Sequence, residues 1–113
     1  MTWDDVCAIA LAFPGVEEST AYGTPALRVK GRFLTRLRLE DNSLVLVDVP
    51  VDEREMLIEA DPTVFHVTAH YKDHPAVLAR LDTVHPGTVR AFLERRWRTV
   101  APRRAVKGWD QRG

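Results

Sequence analysis

Between Pro25 and Val49, three apolar-rich stretches are separated by turns so short that only hairpins can connect them. A connection of about two or three residues joins antiparallel neighbours, whereas a parallel pair needs roughly a dozen or more. Pro25 to Glu40 reads as a hairpin around Gly31, and Asp41-Asn42-Ser43 turns the chain into a third strand, Leu44–Val49. This succession predicts an antiparallel sheet. The third strand is apolar on both faces, which predicts a central position with partial cover on each side.

Two registers are open to the first hairpin. A loop of Lys30-Gly31 sets Val29 opposite Arg32 and Arg28 opposite Phe33. A loop of Val29-Lys30-Gly31, with glycine left-handed, sets Leu27 opposite Phe33 and Arg28 opposite Arg32. The second keeps each face chemically uniform and is the one expected. It places Arg28, Arg32, Arg36 and Arg38 on one face, and Leu27, Phe33, Leu37 and Leu39 on the other.

Helices flank this unit. Thr2 and Asp5 form a capping-box start, Trp3, Val6, Cys7, Ala10 and Phe13 fall on one face, and Pro14-Gly15 ends the run. Asp52 with Glu55 predicts a second, short helix to Ala60, stopped by Asp61-Pro62. Two further strands, Val64–His70 and Ala76–Leu81, follow across the turn Lys72-Asp73-His74-Pro75. His85-Pro86-Gly87-Thr88 opens the last helix, whose stripe is Val89, Phe92, Leu93, Trp97 and Val100, and Pro102 closes it. Arg96 projects into that stripe, so it needs a carboxylate or backbone carbonyls and should be at least half buried. The expected fold is α+β: a two-layer sandwich, an antiparallel five-stranded sheet with helices on one face, in the order α-β(3)-α-β(2)-α. At 113 residues with 45% hydrophobic content, one domain over residues 1–104 is expected, with 105–113 a loosely ordered tail. Trp3, Phe13, Leu37 and Trp97 are the expected core centres.

Three blocks, GTPALRVKGRF at 23–33, PTVFHVTAHY at 62–71 with PAVLARL at 75–81, and WRTVAPRR at 97–104, stand in order behind LAFPGVEEST at 11–20. Together they resemble the MmcQ/YjbR family of small bacterial proteins. The resemblance implies an α-β(3)-α-β(2)-α sandwich. It also implies the label that relatives carry, DNA-binding, an idea resting on two β wings that would contact a duplex. Relatives tend to have a small residue where this chain has Arg96.

Function is read mainly from charge. Residues 1–61 carry six Lys/Arg against twelve Asp/Glu, and residues 62–113 carry ten against four. Such polarity makes a local field that attracts polyanions although the whole chain is neutral. Thirteen arginines against three lysines favour bidentate phosphate contacts. The expected duplex-contacting residues are Arg28, Lys30, Arg32, Arg36 and Arg38 on the hairpin, and Arg95, Arg98, Arg103 and Arg104 with Lys107 at the C-terminus. No helix offers Asn, Gln and Arg to base edges, so binding without strong sequence preference is expected. Ion pairing is the competing reading: Asp48 with Arg36, and Glu94 with Arg90 or Arg98. The alternative function is a protein- or small-ligand-binding module using the open sheet face, where Leu34, Val45 or Val47, and Trp109 in the tail, would be exposed.

Catalysis is not expected. The chain carries no G-x-S-x-G, P-loop, dinucleotide fingerprint or C-x-x-C. The carboxylate pairs Asp4-Asp5 and Glu17-Glu18 read as helix-start and loop acids rather than an acid/base couple. Of the four histidines, His66 and His70 would lie about 13 Å apart along a strand, too far to share an ion, and the turn residues His70 and His74 have only Asp73 beside them. No metal or cofactor is expected. The single Cys7 reads as a small core residue and excludes an internal disulfide. With no secretory pattern and no apolar run able to span a bilayer, a cytoplasmic protein is expected.

Overall fold

A computed structural model of the chain describes residues 1–112. The elements are α1 (Trp3–Ala10), β1 (Val16–Ala21), β2 (Thr24–Val29), β3 (Arg32–Arg38), β4 (Ser43–Val47), α2 (Val51–Ala60), β5 (Phe65–His66), a 3-10 turn (Ala69–Tyr71), β6 (Ala76–Arg80), α3 (Pro86–Val100) and α4 (Arg103–Gln111). The strands form one sheet in the order β1-β2-β3-β4-β6-β5, every pair antiparallel. The α+β class holds, but the sheet has six strands rather than five.

The extra strand is β1, VEESTA. It has no apolar alternation to announce it, and its edge position explains why. One side pairs with β2, while Glu17 and Glu18 stay exposed and discourage pairing with a further chain. It exists because Tyr22 and Gly23 both take left-handed backbone, φ 55° and 74°, and close a two-residue turn.

The hairpin register also differs from expectation. Lys30 and Gly31 are both left-handed, φ 52° and 83°, so the loop is the two-residue one and Val29 pairs with Arg32, Arg28 with Phe33. A bulge then shifts the pairing, setting Leu27 against Thr35 and Ala26 against Arg36. The inserted residue is Leu34, which reaches the core and is 1% exposed. The bulge keeps apolar residues inward on both sides of the shift, a solution that uniform alternation did not suggest. As a result Phe33 joins Arg28 and Arg36 along one cavity while Arg32 stands exposed at the hairpin tip, so the expected arginine quartet is split.

Four helices pack on one sheet face. Val6, Cys7 and Ala10 of α1 and Val89, Leu93, Trp97 and Val100 of α3 join Leu27, Leu37, Leu44, Leu46, Val77 and Ala79 in the main core. Leu57 and Ile58 of α2 and Ala105, Val106 and Trp109 of α4 pack against its rim. Phe13, Leu37 and Trp97 are buried as expected, and Trp3 is partly buried. The Thr2–Asp5 capping box is present. Asp52 does not cap α2, whose N-cap is Pro50, but Asp52 and Glu53 favour its first turn through the helix dipole. Of the expected loose tail 105–113, residues 105–111 are helical as part of α4 and Gly113 lies outside the described residues: Trp109 lies 4.8 Å from Phe13 and 5.5 Å from Trp97, ring centre to ring centre. No helix among the described residues is long and apolar enough to cross a membrane.

The opposite sheet face is only partly covered. The expected strand 64–70 shrinks to Phe65–His66, and the chain beyond it folds over β4 and β6, where Tyr71 packs with Val45, Ala76 and Leu78. Val45 is therefore buried, and Val47 is half covered. Beside this flap the sheet stays open.

Candidate functional site

One turn, the exposed sheet floor and the flap make the cavity on that open face. The β1–β2 turn supplies Tyr22, the floor is Phe33 with Val45 and Val47, and the flap supplies His70, Tyr71, His74 and Pro75. It is an open cleft of about 660 Å³, within the ~300–1,000 Å³ usual for small-molecule sites.

Arg36 is its central charge. The residue is 7% exposed. Nη2 donates to Tyr71 Oη at 2.6 Å, while Nη1 makes only long bonds, 3.4 Å to Thr24 Oγ1 and 3.5 Å to the Leu37 carbonyl. Its Nε–H has no acceptor, and no carboxylate pairs with it among the described residues. Asp48, the partner expected from sequence, is held by Arg96 instead. A buried guanidinium without a counter-ion costs several kcal/mol relative to a paired one, so the site is electrostatically unfinished. Tyr71 Oη already accepts from Arg36, which leaves its own O–H as a free donor. The rings of Tyr22 and Tyr71 lie 5.1 Å and 6.0 Å from the Arg36 Cζ, distances at which a cation is attracted to an aromatic face.

Two further arginines line the cavity. Arg28 is pinned by neutral acceptors, Ser19 Oγ at 3.2 Å and the Thr20 and Gly31 carbonyls at 3.3 Å and 3.4 Å. Arg96 donates to the Phe33 carbonyl at 2.9 Å and to Asp48 Oδ2 at 2.8 Å, meeting the requirement that its helical phase imposed. Asp48 itself has left-handed backbone, φ 62°. Three guanidinium groups thus face one carboxylate.

Arg54 shapes the flap and was not singled out in the sequence. It is 4% exposed on α2 and donates to four carbonyls: Tyr71, His74 and Ala76 through Nη1, Lys72 through Nη2, at 2.8–3.1 Å. In sequence it stands alone among Asp52, Glu53 and Glu55, and only the tertiary fold lays the flap across it.

The other expected nucleic-acid residues are largely committed. Arg38 pairs with Glu40 and Asp41. Arg95 makes a bidentate pair with Glu53, both bonds within 2.8 Å, and this hydrogen bonding holds the Glu53 carboxyl below its usual range. Arg98 joins Glu94 to Asp110 and likewise lowers the Asp110 carboxyl by hydrogen bonding. Lys30 and Arg32 at the hairpin tip, and Arg103, Arg104 and Lys107 on α4, are exposed with no side-chain acceptor among the described residues.

The remaining candidates are quieter. His70 and His74 approach to 5.9 Å between ring centres, and no group of three or more His, Cys, Asp or Glu able to hold a metal occurs among the described residues. Cys7 is buried with its Sγ 3.7 Å from Glu18 Oε1. Desolvation, then the adjacent carboxylate, pushes its thiol up to about 11.

The model of the YjbR family matches residues 11–99. The chain belongs to the YjbR family. Every residue lining the cavity of this YjbR-family chain lies inside the matched segment, and α4 lies outside it. Uncharacterized proteins of Mycobacterium bovis and of two Mycobacterium tuberculosis strains are similar to it, 28% identical over 122 residues, covering 96% of this chain and 95% of theirs. No solved structure matches it.

Proposed function

We propose that this YjbR-family chain is a non-catalytic binding module that holds a small anionic ligand in the cavity on its open sheet face. The observation that carries this reading is Arg36: a 7% exposed guanidinium without a carboxylate, lining a cavity of ligand size. An anion there replaces the missing counter-ion, and Tyr71 O–H and Arg36 Nε–H supply donors for it. The lining contains no serine, cysteine, threonine or lysine to serve as nucleophile, and its one carboxylate is tied to Arg96. A cytoplasmic site of action suits the lone reduced thiol. The test is thermal unfolding across a panel of small organic acids and phosphates. Ligands that raise the melting temperature of wild-type protein should leave Arg36→Met unmoved; stabilisation that survives this substitution disproves the reading.

A second reading, non-specific duplex binding, has one observation in its favour. Lys30 and Arg32 at the hairpin tip and Arg103 and Arg104 on α4 are exposed and free of acidic partners among the described residues. Phosphate contacts of this kind give weak affinity, about 10⁻⁴ to 10⁻⁶ M at physiological salt, rising steeply as salt is lowered. Fluorescence anisotropy with random-sequence duplex decides it: absence of salt-dependent binding at ~50 mM salt removes the duplex reading.

A further inference from the structure

Resting on the anion-binding reading, we infer that the ligand is a planar aromatic carboxylate whose ring stacks on Tyr22. Tyr22 occupies the first position of the two-residue β1–β2 turn with φ 55°. That position favours Asn, Asp or Gly, and a bulky aromatic residue there is strained. Burial does not offset the strain, because the side chain is among the most exposed large apolar groups of the chain, at 86%. Its ring stands at the cavity mouth, against the Arg36 guanidinium. A strained, exposed aromatic ring poised over a charge is a binding surface without its partner.

The opposite wall agrees. His70 and Tyr71 meet edge-on at 4.7 Å, and Phe33 floors the space between the walls. Both tyrosines of the chain line this one cavity, so the aromatic character is local rather than general. Between such walls the slot suits a flat body better than a branched aliphatic one. The polar end favours a carboxylate. Arg36 Nε–H and the Tyr71 O–H, whose oxygen already accepts from Arg36 Nη2, are two side-chain donors at one end of the cavity, suited to the two oxygens of a carboxylate. Phosphate sites usually add a helix N-terminus or a nest of backbone amides, and the lining includes no first-turn residue of an α-helix.

The full chain is titrated by calorimetry and by amide and aromatic NMR shifts with naphthoate, naphthamide, cyclohexanecarboxylate and inorganic phosphate. Naphthoate should bind roughly tenfold tighter than cyclohexanecarboxylate, the worth of one good aromatic stack, and should shift Tyr22, Phe33 and His74. Tyr22→Asn, whose new residue suits the turn, should erase that margin by lowering naphthoate affinity about tenfold more than cyclohexanecarboxylate affinity, with the fold intact. Equal affinity for the two acids, preference for phosphate, or naphthoate binding untouched by Tyr22→Asn overturns the aromatic inference and leaves the anion site standing. If neither acid binds, if naphthamide matches naphthoate, or if Arg36→Met binds as wild type, the anion-binding reading falls and this inference with it.

Discussion

Arg36 and Arg54 are both buried guanidinium groups, and their surroundings give them opposite consequences. Arg54 is neutralised by geometry, its donors spread over four carbonyls of the flap. Arg54→Met leaves those carbonyls unsatisfied, and unfolding in urea should show a loss of about 3 kcal/mol or more. Arg36 lacks both a carboxylate and a full set of acceptors, so Arg36→Met removes a desolvated charge at little cost. Without ligand that variant should be as stable as wild type or more stable by about 1 kcal/mol. His66 sets a pH dependence. Burial chiefly, then Arg80 and Arg38, hold its pKa below the ordinary 6.5 against the pull of Asp41. The unfolded chain therefore takes up this proton first, and stability present above pH 6.5 is lost as pH falls towards the lower folded value. His66→Gln should flatten the fall in melting temperature between neutral pH and the folded-state pKa.

Among the elements, the β1–β2 hairpin is where local preference and tertiary demand conflict. Tyr22-Gly23 closes a turn that Asn-Gly would close with less strain. Tyr22→Asn should raise stability by roughly 0.5–1 kcal/mol, measured as a higher midpoint in denaturant. An unchanged or lower midpoint would mean that the Tyr22–Arg36 contact outweighs the strain. At the other end of the chain, α4 is a helix because its apolar side finds the core. Trp109 closes a three-ring cluster with Phe13 and Trp97, and the Arg112 guanidinium lies 3.4 Å from the Trp109 ring centre. Trp109→Ala should cost about 2 kcal/mol, less than a fully buried tryptophan because the ring is half covered. Loss of α4 helicity in the same variant, seen as exchange of its backbone amides, would show that packing rather than propensity forms it.

For the whole molecule, charge in the sequence and charge on the surface are different quantities. The acidic first half and basic second half meet in the fold, where Arg95 takes Glu53 and Arg96 takes Asp48. Much of the cationic field that the C-terminal run promised is thereby cancelled at short range, while Lys30 and Arg32 stay free at the hairpin tip. Reversing Lys30 and Arg32 to Glu should change stability by no more than about 0.5 kcal/mol, as expected of surface positions. The same double variant should weaken any duplex affinity seen at low salt and flatten its salt dependence, with anisotropy as the readout.

Local chemistry alone dictated the antiparallel hairpins, the Thr2–Asp5 box, the Pro86 helix start and the engagement of Arg96, because each depends on residues within a turn or on one helical phase. The family was legible for a related reason: its blocks are continuous stretches of chain. The cavity was not. Arg28 and Arg36 were singled out for phosphate contacts, but the Leu34 bulge decided that Phe33 would join them. Strand β1, polar along its length, owes its existence to pairing with β2. Arg54 reads as a surface residue until the segment 71–76 crosses it. Bulges, edge strands and buried carbonyl clusters are fixed by partners far away in the chain, and their free energy appears only once the sheet and its flap have closed on one another.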